Sequence, residues 1–162
     1  MTEGREFTAF VRANTSALLR TAYLLTGSAG AAEELVQDTL SRLYPKWSKV
    51  EAADAPLAYV RRSLANNFVN SRRRMSSHEL VVEFLPERAD GIDANGALDD
   101  RDEIWRLLVT LTERQRAAIV LRYFHDLPDE EIAESLGCRV GTVRSAISRG
   151  LAALRSAEEA RR

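Results

Sequence analysis

The stretch Asp129-Glu-Glu-Ile-Ala-Glu-Ser-Leu-Gly-Cys-Arg-Val-Gly-Thr-Val-Arg-Ser-Ala-Ile-Ser-Arg149 decides the fold. A helix-turn-helix needs a small residue where its two helices cross, and a turn residue that tolerates positive φ. Ala133 and Gly137, four apart, supply both. Leu136, Val140, Val143 and Ile147 supply apolar contacts that would fix the crossing angle. The second helix then shows Arg139, Thr142, Arg144, Ser145, Ser148 and Arg149, donor-rich types suited to base edges and phosphates in a major groove. An amphipathic hairpin with a solvated arginine face is the alternative. The turn glycine and both helices agree on one geometry, which favours the helix-turn-helix.

Around this motif the periodicity stays helical. A helix is predicted over about Asp102–Leu111. Thr112-Glu-Arg-Gln115 has the form of a capping box and opens a helix to Phe124 that carries Ala117, Val120 and Leu121. His125-Asp-Leu-Pro128 reads as a turn, and His125 and His78 as solvated. Phe124 is read on the same apolar stripe as Ala117, Val120 and Leu121. The last helix is predicted from Val140 to about Arg155. The first half holds three more. Glu6–Leu25 has Phe7, Phe10, Val11, Leu18, Ala22 and Leu25 near one face, and ends at Thr26-Gly-Ser28. Ala31–Tyr44 buries Leu35, Val36, Leu40 and Leu43 and shows Glu34, Gln37, Asp38 and Ser41 at i, i+3, i+4, i+7 on the other side. A loop over Ser48–Ala55 precedes Pro56–Arg74, whose stripe is Leu57, Val60, Leu64, Phe68 and Ser71. No strand-like alternation persists. The predicted fold is all-α: small helical domains at residues 1–76 and 101–162, joined by a flexible acidic linker at 77–100 with the turn-rich run Asp90-Gly-Ile-Asp-Ala-Asn-Gly96.

Composition excludes several classes. The chain has 162 residues, 45% hydrophobic and 29% charged, which is ordinary for a globular protein. No apolar run approaches the ~18 residues that span a bilayer, and the first residues lack a signal pattern. With one Cys and two His, neither a disulfide scaffold nor a His/Cys metal site is expected. No Gly-rich phosphate loop, paired nucleophile and base, or ligand cluster marks an enzyme or a cofactor site. The expected compartment is the cytoplasm. With the sequence ending soon after Arg155, no further sensory domain is expected.

The overall charge of −1 hides a division. Residues 1–74 are net +4, residues 75–100 net −6, and residues 101–162 net +1. Local patches set the attraction for phosphate, so nucleic-acid binding stays open. Arg72-Arg73-Arg74 suits either a solvated helix end or phosphates. Arg61, Arg62, Asn66 and Asn70 lie outside the core stripe of the same helix, and amides can read adenine edges. Trp47, beside Lys46 and Lys49, is either a stacking group with phosphate partners or a cover for the edge of a small core.

Two motif sets carry a family resemblance over nearly the whole chain. Leu111-Thr-Glu-Arg-Gln-Arg-Ala-Ala-Ile-Val-Leu-Arg-Tyr-Phe124, Glu131-Ile-Ala-Glu-Ser-Leu-Gly-Cys138 and Gly141-Thr-Val-Arg-Ser145 resemble region 4 of bacterial sigma-70 factors. Ala32-Glu-Glu-Leu-Val-Gln-Asp-Thr-Leu40, Trp47 and Pro56-Leu-Ala-Tyr-Val-Arg-Arg-Ser-Leu-Ala-Asn-Asn67 resemble region 2. The short linker is similar to that of the extracytoplasmic-function (group 4) factors. The resemblance implies a promoter-specificity subunit of RNA polymerase. Its implied roles are docking of Glu34, Gln37, Asp38 and Ser41 on the polymerase clamp coiled coil and flap-type contacts elsewhere. Opening and reading of the −10 element would fall to Lys46, Trp47, Lys49, Arg61, Arg62, Asn66, Asn70, Arg72, Arg73 and Arg74. Reading of the −35 duplex would fall to Arg139, Thr142, Arg144, Ser145, Ser148 and Arg149. Promoter DNA, core polymerase and an anti-sigma factor are the implied partners. The acidic linker would be a nucleic-acid mimic or an inert tether.

Pro128 stands where relatives often carry a capping Ser, so Asp126 or Asp129 is expected to cap. Ala146 stands where many carry Arg, which would remove a phosphate contact. Cys138 is read as a small packed residue. A free-standing helix-turn-helix regulator and an all-helical adaptor are the competing functions. The first would bind duplex without polymerase; the second would show no salt-dependent DNA affinity.

Overall fold

The computed structural model describes the backbone of residues 2–77 and 97–161 and the side chains of residues 4–71 and 103–161. Among the described residues there are helices and turns and no strand. The first half comprises α1 (Thr2–Thr26), α2 (Ala29–Leu43), a 3₁₀ turn at Tyr44–Lys46, α3 (Trp47–Glu51) and α4 (Pro56–Ser77). The second comprises α5 (Ala97–Leu108), α6 (Glu113–Ile119), a π-helical turn at Val120–Phe124, α7 (Asp129–Leu136) and α8 (Val140–Ala160). The predicted loop over Ser48–Ala55 is therefore partly helical. Pro45 lies in the 3₁₀ turn that follows the end of α2 at Leu43.

Local chemistry sets several boundaries. Ser28 accepts the Ala31 amide and starts α2. Thr112 and Gln115 form the reciprocal capping box that the sequence predicts. Gly137 takes φ +67 at the end of α7, the left-handed conformation that the turn requires. Val143 and Ile132 are fully buried in the crossing of α7 and α8, with Ala133 beside them.

The helices of the first half close on Leu18, Leu25, Val60, Leu64 and Phe68. Those of the second close on Val120, Leu121, Ile132 and Val143. The two halves are also packed on one another, a juxtaposition no linear pattern announces. Arg116 is the joint. It is 6% exposed, donates from Nη1 to the Leu25 carbonyl of α1 (2.6 Å), and donates to the Leu108 and Leu111 carbonyls (3.0 and 3.2 Å). Its guanidinium also lies 5.8 Å from the Phe68 ring of α4. Helix C-termini carry orphan carbonyls and a partial negative charge, so a cation between two of them offsets its own desolvation. Trp105 of α5 lies on the α1–α2 turn. There Gly27 takes φ +78, and a Cβ would fall inside the indole.

Arg116→Ala removes a donor from three buried carbonyls, of which Leu108 keeps the Leu111 amide. With buried unsatisfied groups costing roughly 1–3 kcal/mol each, partly relieved by water, a loss of about 3 kcal/mol is expected in urea unfolding. Arg116→Lys, a point donor that cannot reach three acceptors, should recover only part of it. An unchanged urea midpoint for Arg116→Ala would refute the assignment.

Candidate nucleic-acid and polymerase interfaces

Three surfaces carry the residues singled out from the sequence. On α2, Glu34, Gln37, Asp38 and Ser41 are all exposed on one face, opposite buried Leu35, Val36, Thr39 and Leu40. Asp38 is not idle there. It accepts from Arg42 Nε at 3.0 Å and from Asn67 Nδ2 at 2.8 Å, which ties this face to α4.

The second surface is the outer face of α4. Arg62, Asn66 and Asn70 follow one another at four-residue spacing along it, and Asn70 donates to Asn66 Oδ1 at 2.8 Å. Tyr59 lies under the Arg62 guanidinium, 6.0 Å from ring centroid to Cζ. Lys46 and Lys49 are exposed on the preceding turn and on α3. Trp47 is not part of this surface. It is 2% exposed and wedged edge-on against Phe7 and tilted against Phe10, with centroids 5.1 and 4.9 Å away. The aromatic anchors on α1 make it a core residue, so it cannot stack on a base without unfolding α3. Arg61 also departs, pointing toward α1, Arg20 and His125. Burial and the nearby Arg20 charge pull its pKa down. The side chains of Arg72, Arg73 and Arg74 lie outside the described residues, as do His78 and the linker.

The third surface is the recognition face of α8. Arg139, Arg144, Ser145, Ser148 and Arg149 are exposed and Thr142 half-exposed, while Val143, Ala146 and Ile147 are buried behind them. Ala146 therefore faces the core, where an arginine could make no phosphate contact without disturbing the crossing. Neither aspartate caps α7. Pro128 occupies the cap position without a side-chain bond, and Asp126 takes φ +56 in the turn. Asp129 instead brackets two arginines, accepting from Arg122 Nη1 at 2.9 Å and Arg144 Nε at 3.3 Å. That fixes Arg144, whose Nη2 also lies 3.9 Å from Glu130 Oε1.

A cleft of about 550 Å³ lies where α2, α4 and α7 meet. Arg42, Lys46 and Arg62 line its first-half wall; Glu131 and Glu134 of α7 line the other. Arg62 and Glu131 approach to 3.7 Å, and Asn66 Nδ2 donates to the Ser135 carbonyl. On the far side of α4, His125 corrects its reading as solvated. Its Nε2 shares a 2.9 Å hydrogen bond with Thr21 Oγ1 of α1. Burial, and then the Arg61 charge, lower its pKa from 6.5 to about 4. Arg116 and Trp105 were not singled out, and Asp129 and His125 were given other roles, because their partners are distant in sequence or in another element.

Comparison with known proteins accords with this geometry. Residues 10–78 match the family of sigma-70 region 2, and residues 101–154 that of sigma-70, region 4. The RNA polymerase sigma-E factor of Streptomyces coelicolor is 36% identical over 155 residues, covering 96% of this chain and 87% of that protein. The extracytoplasmic-function sigma factor SigL of Mycobacterium tuberculosis is 31% identical, covering 88% and 82%. Among solved structures, the sigma factor RpoE of Bartonella quintana, in complex with the anti-sigma factor NepR, is 28% identical. It superimposes with a TM-score of 0.72 over 98% of this chain and 99% of that one. Among the described residues no helix is long and apolar enough to cross a membrane.

The lowered pKa of His125 makes stability pH-dependent. In the unfolded chain the imidazole titrates near 6.5, and in the folded chain near 4. Between those values the unfolded chain takes up the proton more readily. This contribution is full above about pH 6.5 and is lost as pH falls through about 4. The melting temperature should therefore drop more steeply over that window for the native chain than for His125→Gln. Parallel profiles would overturn the assignment.

Proposed function

The chain belongs to the sigma-70 family as an extracytoplasmic-function factor, a promoter-specificity subunit that binds core RNA polymerase and promoter DNA, and from that premise we propose how its surfaces divide the work. Residues 1–76 form the core-binding and −10 unit, residues 101–162 the −35 unit, and residues 77–100 the tether. Glu34, Gln37, Asp38 and Ser41 meet the polymerase clamp coiled coil. A flat helix face with mixed polar groups suits a partner helix. Tyr123 and Phe124, turned outward by the π-helical turn and 56% and 45% exposed, offer an apolar edge for a flap-type contact.

Lys46, Lys49, Arg62, Asn66 and Asn70, with the triple arginine beyond, hold the separated strand at the −10 element. Cations track phosphates and amides take base edges, offsetting the few kcal/mol that unstacking a base costs. Arg139, Thr142, Arg144, Ser145, Ser148 and Arg149 read the −35 duplex. The exposure of five of them, with Thr142 half-exposed beside them, on a helix whose entry is set by Gly137 carries this reading. Family members are initiation factors without catalysis of their own, and this chain is no enzyme. It acts in the cytoplasm on polymerase. A structural relative is in complex with an anti-sigma factor, which supports an anti-sigma partner for this chain.

Run-off transcription with core enzyme and genomic promoter fragments tests the reading, with initiation at defined sites expected only when this chain is added. Arg144→Ala and Arg149→Ala should each lower output from −35-dependent promoters about tenfold, the scale of one lost base or phosphate contact of ~1–3 kcal/mol. Initiation indifferent to the chain would sink the assignment; initiation unaffected by both variants would sink the role of this face.

A further inference from the structure

We propose that the pocket between α1, α4, α5 and the π-helical turn binds a small organic anion, one acidic group on a compact apolar body. It lies on the far side of α4 from the cleft that holds Arg62 and Asn66. Of the residues that line it, only Phe124 has a role assigned above.

The pocket holds about 300 Å³, at the small end of ligand sites. Its charge is of one sign. Arg20 of α1 and Arg61 of α4 both line it, and none of its lining residues is a carboxylate. Among the described residues neither arginine has an ion-pair partner. The Nε of Arg61 is buried and finds no hydrogen-bond acceptor there. A buried charged donor without an acceptor is costly, and native proteins rarely leave one so. The electrostatics agree. Burial and the Arg20 charge pull the Arg61 pKa down, and burial and the Arg61 charge pull that of His125 down. In both cases a cation acts across the pocket on a second basic group. Thr21 and His125 also line it, and they answer one another at 2.9 Å. The two guanidinium groups are thus the ones left for a ligand.

Guanidinium groups present planar forks that suit carboxylate and phosphate oxygens. The rest of the lining decides what carries the acid. Ala17 and Leu24 of α1, Ile104 of α5 and Phe124 of the π-helical turn are apolar. A bare inorganic ion would leave these side chains facing water, whereas an aromatic or aliphatic body would cover them. The walls come from both halves of the chain. An occupant therefore touches α1 and α4 on one side and α5 and the π-helical turn on the other, and stabilises the folded chain by binding it.

The test uses the full chain at low ionic strength, with calorimetric titration for affinity and thermal unfolding as a second readout. Phenyl phosphate and benzoate are the probes, and the tighter of the two identifies the acidic group that the site takes. The better probe should bind once per chain with a Kd of about 1 mM or below and raise the melting temperature. Inorganic phosphate and phenol carry the charge or the body alone, and should bind at least about tenfold more weakly. Arg20→Gln, at an exposed position, and Arg61→Met, which keeps an apolar stem, should each weaken the probe at least about fivefold. Ala17→Phe fills the pocket without a change of charge and should abolish binding. Arg62→Ala removes the next cation along α4, on the side of the cleft, and should alter affinity by less than about twofold. A urea midpoint for each variant shows that it is folded. Three outcomes overturn the site: neither aromatic anion binds, inorganic phosphate binds as tightly as phenyl phosphate, or Arg62→Ala weakens the probe as much as Arg20→Gln and Arg61→Met do.

Discussion

One buried guanidinium sets the arrangement of this molecule. The C-terminal ends of α1 and α5 come from different halves of the chain, and each leaves carbonyls without a helical partner. Arg116 satisfies both ends at once from α6, with its plane near Phe68. A buried cation is costly unless its surroundings supply compensating charge and acceptors. Two helix C-termini supply both, and bringing them to one point fixes the position of α6 relative to α1. From α6 the rest follows in chain order. The π-helical turn places His125 against Thr21, and α7 then lies along α4.

The apolar core does not stop at the boundary between the halves. Buried side chains of both belong to one cluster that includes Leu18 and Phe68, Leu108 and Ala117, and Ile132 and Val143. Polar contacts lie around it: Arg116 on the Leu25 carbonyl, His125 on Thr21, Arg62 beside Glu131. Apolar burial is lost outright when surfaces separate, whereas polar contacts can be replaced by water or by a partner's groups. Parting the halves would therefore cost apolar burial as well as these polar contacts.

Features governed by neighbours in sequence were legible. The Gly137 turn, the Thr112–Gln115 box, the small Ala133 at the crossing and the polar faces of α2 and α8 are local chemistry, and the helices fall within a few residues of their predicted ends. Features governed by distant packing were not. Trp47 beside two lysines looks like a stacking group until α1 brings Phe7 and Phe10 against it. Arg61 and Arg62 are adjacent in sequence, yet a helix turns them about 100° apart. One therefore faces α1 and the other the cleft. His125 in a turn reads as solvated because nothing nearby in sequence covers it; α1 does. Asp129 carries the residue type of a cap, but two arginines outbid the helix amides for its carboxylate.

The two faces that the sequence singles out are placed differently by this packing. On α8, Arg144 is held by Asp129 and lies near Glu130, while Arg139, Ser145, Ser148 and Arg149 are exposed. On α4, Arg62 and Asn66 instead meet Glu131 and the Ser135 carbonyl of α7. The helices α7 and α8 cross on buried Ile132, Ala133 and Val143, with Gly137 left-handed at the turn between them. The contact that seats α7 against α4 therefore also sets where the exposed face of α8 lies relative to the first half, which is why one short motif decides the placement of both surfaces.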